Sequence, residues 1–197
     1  MKRSSSLREC KHGCAQAETH LALTELTKWI QLATISIGAE NLSSYIFDQD
    51  LVKTRRELFP AGRLDKTSTG FVLLTDDGGF AHDILAPKRH VSKTYTVTLD
   101  TPLTEEMRTG FAAGVTLADG TALSPAKVTA LSPDGLTVRV VLKQGVYHQI
   151  KRMFGVYGAG VNGLHRDAIG GLALDENLAP GQWRELSDDE VAEITRE

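Results

Sequence analysis

The sequence predicts an α+β protein with a mainly antiparallel, mixed sheet flanked by helices. Three observations lead to this fold class. Short runs of strand length dominate residues 71–142. Helical segments that start at caps or end at glycines are inserted between these strands. No internal repeat or low-complexity tract interrupts this order.

The first predicted element is a helix over residues 21–37. Leu23, Leu26 and Ile30 recur at helical spacing, so they would share one face. Apart from the weak metal signal discussed below, residues 1–58 carry no recognisable chemistry.

The next predicted elements lie between residues 71 and 100. Phe71–Thr75 is an apolar run of strand length, and the Asp and Gly residues after it indicate a turn. Residues 80–85 predict a short helix that Pro87 stops. Lys93–Asp100 alternates strictly and therefore predicts a half-buried strand, with Tyr95, Val97 and Leu99 on one face.

The second half of the chain continues in the same style. A helix is predicted to begin at Thr104 and to end at Gly114, and Asp119-Gly120 indicates a hairpin turn. Two more strands are predicted over residues 126–131 and 136–142, followed by a helix over residues 147–157. A last helix is predicted to open with a capping box at residues 187–190.

Composition excludes several classes of protein. The 197 residues are 41% apolar and 24% charged, as in ordinary globular proteins, and we expect a monomer. No apolar run approaches the roughly 20 residues of a membrane helix, and no signal peptide is recognisable. Two cysteines cannot form the framework of a disulfide scaffold. We therefore expect a cytoplasmic protein without a membrane partner.

The charge of the chain is unevenly distributed. The net charge of −3 argues against a nucleic-acid partner. However, residues 171–197 contain eight Asp or Glu and two Arg, a charge of −6, which leaves +3 for residues 1–170. Because a polyanion senses the local distribution of cations, modest and salt-sensitive RNA binding is compatible with this sequence.

A first candidate for chemistry is the segment A-G-R-L-D-K-T-S-T-G at residues 61–70. Asp65 follows Arg63 and precedes Lys66, and these cations favour the ionised carboxylate. An aspartate that only forms a turn or a cap is the alternative interpretation.

A second candidate is the segment G-V-Y-H-Q-I-K-R-M-F at residues 145–154. On a helix, His148, Lys151 and Arg152 would share one face, since they are three and four residues apart. Such a face suits a phosphate or a carboxylate partner, and a solvated basic face is the alternative.

Further cations occur in two other segments. Lys88, Arg89 and Lys93 lead into the strand that carries Tyr95. Cations beside an aromatic ring are typical of RNA binding, although a tyrosine in a strand can also belong to the core. Arg166 follows a histidine near another predicted strand, where a surface charge pair is the alternative.

A metal site is weakly indicated near the N-terminus. Cys10, His12 and Cys14 have a spacing that suggests metal ligands. Zinc needs four ligands at coordinated spacings, and no second pair follows. We therefore favour a solvated leader and expect no metal.

Taken together and in order, these segments resemble the RsuA/RluB-type pseudouridine synthases. The resemblance rests on A-G-R-L-D-K-T-S-T-G-F-V-L-L-T-D-D-G, K-T-Y, G-V-Y-H-Q-I-K-R-M-F and L-H-R-x3-I-G-G, which span about residues 59–190. The form H-Q-I-K-R-M-F, with L-H-R downstream, is most similar to the RsuA branch. That branch modifies a uridine in small-subunit ribosomal RNA.

The resemblance implies a pseudouridine synthase catalytic fold and an isomerase that converts one uridine of small-subunit (16S) ribosomal RNA to pseudouridine. The implied partner is ribosomal RNA or an assembling small ribosomal subunit, and no cofactor is implied. Asp65 matches the family's catalytic aspartate, Tyr95 the tyrosine that stacks on the target base, and Lys151 the cation that pairs with the carboxylate. The implied RNA or supporting contacts are Arg63, Lys66, Lys88, Arg89, Lys93, His148, Gln149, Arg152 and Arg166.

The isomerisation makes physical sense of these residue types. The N1–C1′ bond breaks, the uracil turns and C5 bonds to C1′, with no redox change. The aspartate either attacks the sugar or abstracts the C2′ proton, and the sequence leaves both routes open. Burial of an ionised aspartate calls for a fixed cation such as Lys151. Removal of the base from its stack calls for an aromatic platform such as Tyr95.

Residues 1–58 depart from the family pattern. Members of this branch commonly begin with a small S4-type RNA-binding domain and an N-K-P-x-G motif, and neither is recognisable here. We therefore divide the chain into a divergent N-terminal segment, residues 1–58, and a catalytic domain, residues 59–197. Divergence and a frameshift in the gene are both open as explanations.

Two other functions stay open as alternatives. The D-K-T at residues 65–67 resembles that of phosphorylated-aspartate ATPases, but no apolar strand precedes it and Ser68 follows in place of Gly. A catalytically impaired RNA-binding or ribosome-assembly protein on the same scaffold is the second alternative. The intact catalytic positions argue against this second alternative, and the divergent N-terminal segment argues for it.

Overall fold

The computed structural model describes residues 29–34, 58–86 and 91–196, and three short strands nearer the N-terminus. The strands are β1 (Ser4–Ser5), β2 (Leu7–Glu9), β3 (Ala15–Ala17), β4 (Trp29–Thr34), β5 (Phe59–Pro60), β6 (Thr69–Thr75), β7 (Lys93–Leu99), β8 (Lys127–Ala130), β9 (Thr137–Leu142), β10 (Val161–Ile169), β11 (Leu172–Ala173) and β12 (Trp183–Glu185). The helices of this described part are α1 (Gly78–Leu85), α2 (Glu105–Ala113), α3 (Gln149–Gly155) and α4 (Asp188–Thr195).

One large mixed sheet organises the fold. Its strand order is β1-β12-β4-β6-β10-β7-β9-β8, with β5 paired to β6 and β11 paired to β10. Among these described strands, the pairing of β6 with β10 is parallel and the others are antiparallel. The predicted α+β class with a mainly antiparallel, mixed sheet is therefore confirmed.

The parallel pairing forms a narrow seam in the middle of the sheet. It consists of two residue pairs, Thr69 with His165 and Gly70 with Arg166. Gly70 has a φ of +109°, and a Cβ there would lie 2.3 Å from the carbonyl oxygen of Arg166. A side chain at this position would therefore push the two strands apart. Beyond the seam, Arg166 Nε donates to the carbonyl oxygen of Phe71 at 2.7 Å and extends the link.

Separate hydrophobic clusters lie on the two sides of this seam. One contains α2, α3 and strands β7–β9, with Val97, Phe111, Val138, Met153 and Phe154 buried in it. A second cluster packs α1 and α4 against β6, and a third lies around β4 and β12. Because β6 is buried on both faces, its sequence is a nearly continuous apolar run rather than an alternating one.

Local signals explain where most elements begin and end. Thr104 caps α2 by accepting from Met107 N at 3.2 Å, and Gly114 follows its last residue. Asp77 caps α1 by accepting from Phe80 N at 3.0 Å. Ser187 opens α4 in a full capping box. The predicted strand from residue 93 is confirmed as β7, and Val97 and Leu99 on its predicted inner face are buried.

The predicted helix over residues 21–37 is wrong where the chain is described. Trp29–Thr34 is the strand β4, which pairs with β6 on one side and β12 on the other. Ile30 and Leu32 pack into one cluster while Trp29 packs into another, with its ring against that of Phe80. Burial on both faces removed the polar alternation that would have distinguished a strand from a helix.

A closed ionic cluster ties the C-terminal helix to the sheet. Arg184, on β12, donates from Nη1 and Nη2 to the two carboxylate oxygens of Glu190 at 3.0 and 2.8 Å. Its Nε also forms an ion pair with Asp175 Oδ2 at 2.9 Å. The hydrogen bonds from Arg184 are the main cause that lowers the pKa of Glu190 from its usual 4.5 to about 2. Hydrogen bonds and charge compensate the burial of Arg184 here.

Candidate active site

Asp65 lies in the loop between β5 and β6. The loop is fastened at both ends, since Ala61 N donates to Leu73 O at 2.8 Å and Ser68 N donates to Asp65 O at 2.9 Å. Gly62 adopts a φ of +101° under the side chain of Leu85, and Leu64 packs against the third hydrophobic cluster. These contacts fix the loop while the Asp65 carboxylate keeps partial contact with solvent.

A histidine and a lysine approach Asp65 from the opposite side of the seam. His148 Nε2 lies 3.4 Å from Asp65 Oδ1, and Lys151 Nζ lies 3.7 Å from Oδ2. Both distances exceed the 2.7–2.9 Å that is typical of charge-assisted hydrogen bonds. The carboxylate therefore has nearby positive charge while both its oxygens stay available to another donor or electrophile.

Lys151 is positioned by a second contact. Its Nζ donates to Thr67 Oγ1 at 2.7 Å, so the ammonium bridges two residues of the Asp65 loop. The hydroxyl fixes the cation near the carboxylate but does not compete for its charge.

The backbone at His148 explains how the histidine reaches Asp65. His148 has φ 49° and ψ 33°, which is the left-handed conformation. Among the described residues, it is the one non-glycine residue with a positive φ. Such conformations cost free energy and occur often at functional sites. The turn before α3 is held by the buried Gln149, whose Oε1 accepts from Val146 N at 2.9 Å. The helix therefore starts at Gln149, two residues later than predicted.

Arg152 is directed away from Asp65. The sequence predicts that it shares a face with His148, but His148 lies before the helix and has non-helical angles. The Arg152 guanidinium instead donates to Asp119 in the turn between α2 and β8. This hydrogen bond contributes to the lowered pKa of Asp119, about 2 against the usual 3.8, after the larger effect of hydrogen bonds from Thr121.

Tyr95 lies at the centre of the sheet, half-buried on β7. It is paired in register with Arg166 on β10 and with Val140 on β9, and its ring packs against the first hydrophobic cluster.

Lys93 and Arg166 are held inside the fold. Lys93 Nζ donates to the carbonyl oxygens of Ile84 and Val91 at 2.9 and 2.8 Å. Burial and the nearby Arg166 lower the pKa of Lys93 from 10.5 to about 8. Arg166 is buried, and its Nη2 has no hydrogen-bond partner among the described residues. Their predicted contact with RNA stays a prediction.

The other predicted RNA contacts differ in their exposure. Arg63 and Lys66 are exposed beside Asp65. Lys88 and Arg89 lie outside the described residues, as do the cysteines and histidine of the weak metal signal. In the described part of the chain, no group of three His, Cys, Asp or Glu side chains could hold a metal ion, and no helix is long and apolar enough to cross a membrane.

The sequence predictions missed three residues of this region. Thr67 holds Lys151, Asp119 holds Arg152, and Tyr147 stacks on His148 with ring centroids 3.9 Å apart. Thr67 and Tyr147 belong to the quoted segments, where a hydroxyl two residues after the aspartate and an aromatic before the histidine were the available signals. Asp119 carried only a turn signal.

The fold is that of the RNA pseudouridylate synthases. The model of the RNA pseudouridylate synthase family matches residues 33–155. A crystal structure of a pseudouridylate synthase superposes with a TM-score of 0.78 at 37% identity, covering 88% of this chain and 76% of that one. The archaeal box H/ACA Nop10–Cbf5 complex shares the fold alone, with a TM-score of 0.55 at 15% identity.

The curated relatives indicate which branch of the family this chain resembles. The ribosomal small subunit pseudouridine synthase A of Salmonella typhimurium and that of Escherichia coli K12 are each 45% identical over 139 residues, 70% of this chain and 59% of each relative. The Haemophilus influenzae protein of the same name is 43% identical over 141 residues. This chain belongs to the RNA pseudouridylate synthase family and is similar to its RsuA-type members. The chain spans about three-fifths of the length of these relatives.

Proposed function

We propose that this protein is a pseudouridine synthase that isomerises one uridine of small-subunit (16S) ribosomal RNA. The observation that carries the proposal is the Asp65 carboxylate, set between His148 and Lys151 at 3.4 and 3.7 Å in a chain of this family. The names of the relatives support the small-subunit RNA, free or within an assembling subunit, as the substrate.

Asp65 supplies the reactive carboxylate in this proposal. Attack on C1′ and abstraction of the C2′ proton both start from the ionised form. In either route the N1–C1′ bond breaks, the uracil turns, the C5–C1′ bond forms, and C5 loses its proton while N1 gains one. The reaction needs no electron acceptor, and we propose that no metal or cofactor takes part.

We assign the remaining roles from the family resemblance, and the contacts of Lys151 and the exposure of the Asp65 loop support this assignment. Tyr95 provides the surface for the displaced base and is the candidate for the proton transfer at C5. Lys151 balances the charge of Asp65 and is itself held by Thr67. Arg63 and Lys66 are exposed on the Asp65 loop, where they can contact phosphates of the RNA.

The organisation of the whole protein is also a proposal. We propose a monomer that acts in the cytoplasm, with residues 59–197 as the catalytic domain. The strand β4, from residues 29–34, completes the same sheet beside β6. The catalytic sheet therefore depends on residues from both parts of that division.

Conversion of unmodified RNA tests the proposed function. Purified protein is incubated with a transcript of small-subunit ribosomal RNA and, separately, with small subunits assembled from unmodified RNA. Chemical mapping of pseudouridine should then find one converted uridine in at least one of these substrates. An Asp65→Asn variant serves as the matched control and should convert none. The absence of product in both substrates contradicts the proposal, and RNA binding without product would indicate the impaired RNA-binding protein.

A further inference from the structure

Tyr147 is exposed at the mouth of the candidate site. The residue is 75% exposed, more than any other large apolar or aromatic residue in the described part of the chain. A single exposed aromatic residue is ordinary on a protein surface. The stacking of this ring on His148, whose Nε2 lies 3.4 Å from Asp65 Oδ1, gives it a specific use.

The Tyr147 ring is stacked and supported on one face. It lies almost parallel to the His148 imidazole, with an interplanar angle of 14° and 3.9 Å between centroids. The histidine in turn reaches Asp65 through Nε2. His148 therefore contacts both the Tyr147 ring and the Asp65 carboxylate, and the high exposure of Tyr147 leaves its other face to solvent.

The backbone beneath these side chains is held in place. His148 occupies the left-handed region, Gln149 N donates to Val146 O at 3.0 Å, and the buried Gln149 side chain accepts from Val146 N. A ring already ordered by its neighbours loses little conformational entropy when a second flat group stacks on it. The outer face of Tyr147 is thus a prepared stacking surface.

We propose that Tyr147 stacks on the nucleobase adjacent to the target uridine. This proposal rests on the proposed function. When one nucleotide is turned out of its stack, the neighbouring base loses a stacking partner and exposes an apolar face. An aromatic side chain replaces that partner, and it does so for any base because each base has a π-face. Tyr95 takes the turned-out uracil, and Tyr147 takes its neighbour.

RNA affinity tests the proposal without turnover. The Asp65→Asn variant is titrated with the small-subunit RNA transcript, alone and combined with Tyr147→Ala, Tyr147→Phe or Val156→Ala. Tyr147→Ala should weaken binding about tenfold, as expected for loss of one base–aromatic stack. Tyr147→Phe, which keeps the ring, should bind within about twofold of its parent. Val156→Ala removes another exposed apolar side chain, just after the end of α3, and should have no effect.

A fluorescent base locates the contact. A short RNA carries 2-aminopurine on one or the other side of the uridine identified by mapping. Its fluorescence should be quenched, at one of the two positions, by proteins with Tyr or Phe at position 147 and not by Tyr147→Ala. In turnover measurements with Asp65 present, Tyr147→Ala should raise KM about tenfold and leave kcat within about twofold.

Three outcomes overturn the proposal. Equal RNA affinity of Tyr147→Ala and Val156→Ala would show that no base stacks on the ring. Unchanged quenching with Tyr147→Ala would place the neighbouring base elsewhere. A fall in kcat with unchanged KM would show that Tyr147 acts only by orienting His148. If the wild-type protein makes no pseudouridine, the proposed function is contradicted. The affinity comparison would still test whether Tyr147 stacks on a base of the transcript.

Discussion

Two clusters in this molecule pair carboxylates with basic side chains, and they do so in opposite ways. Around Arg184, the separations from Glu190 and Asp175 lie between 2.8 and 3.0 Å, and the arginine side chain is 7% exposed. Around Asp65, the separations from His148 and Lys151 are 3.4 and 3.7 Å, and the three side chains are 23–37% exposed. One cluster is closed and the other is open.

The difference lies in where the hydrogen-bonding capacity goes. The carboxylate oxygens of Glu190 accept hydrogen bonds from Arg184 and from the backbone at the N-terminus of α4. Asp65 has the Lys151 ammonium nearby but no short hydrogen bond to it or to His148, and that ammonium is held by Thr67 instead. Loss of one partner from a closed cluster leaves buried charge uncompensated, whereas an open cluster keeps a charged oxygen available for a reaction.

The largest expected effect comes from the open cluster. Asp65→Asn keeps the size of the side chain and removes its charge. Pseudouridine formation should fall by about 10³-fold or more, since the reactive carboxylate is lost. The free energy of unfolding should change by less than about 0.5 kcal/mol because the carboxylate is loosely held. Single-turnover rates and urea unfolding measure the two effects. A variant that is fully active would remove Asp65 from the site.

The next largest effect comes from the closed cluster. Arg184→Ala leaves two carboxylates without their cation and should lower the free energy of unfolding by about 3 kcal/mol. At temperatures where the variant is folded, kcat should match that of the wild type. Urea unfolding and turnover with the same preparation make the comparison. Loss of turnover without loss of stability would mean that this cluster also serves the reaction.

The closed cluster should also make the free energy of unfolding depend on pH in the acid range. The folded-state pKa of Glu190 is about 2, below its usual 4.5. The unfolded chain therefore binds more protons between these values, and the stabilisation is fully present above pH 4.5 and lost as the pH falls toward 2. Glu190→Gln should cost about 2 kcal/mol at pH 7. The gap between the two unfolding curves should narrow below pH 4.5, and a constant gap down to pH 3 would contradict this assignment.

The smallest of these effects concerns the hydroxyl that positions Lys151. Thr67→Val removes the hydrogen bond to Nζ and keeps the shape of the side chain. The value of kcat should fall about fivefold, equivalent to about 1 kcal/mol, which is the net contribution of a typical hydrogen bond. Thr67→Ser, which keeps the hydroxyl, should restore it. Equal rates for the valine and serine variants would show that Thr67 does not position the cation.

Most of the fold was predictable from local signals. Thr104, Gly114 and Ser187 bound their helices as caps do, and the alternation in β7 matches its inner face. The strand β4 was not predictable in this way. Its apolar residues face two separate clusters, and its partners β6 and β12 lie far away in the sequence.

The candidate site was predictable in its residue types and less so in its geometry. The motif resemblance singled out Asp65, His148 and Lys151, which the structure brings together. Helical spacing misplaced Arg152, since the left-handed backbone at His148 changes which side chains share a face. The Thr67 contact spans 84 residues of sequence, so no local pattern could reveal it.

The seam at Gly70 and Arg166 has a consequence for how the chain acquires its activity. The two sides of the sheet meet there through two residue pairs separated by 96 residues of sequence. Contacts of such long range are slow to form, because a large loop must be closed first. Asp65 comes from one side of the seam, and His148 and Lys151 come from the other. The appearance of catalytic activity during refolding should therefore lag behind the recovery of secondary structure and report when the two sides have docked.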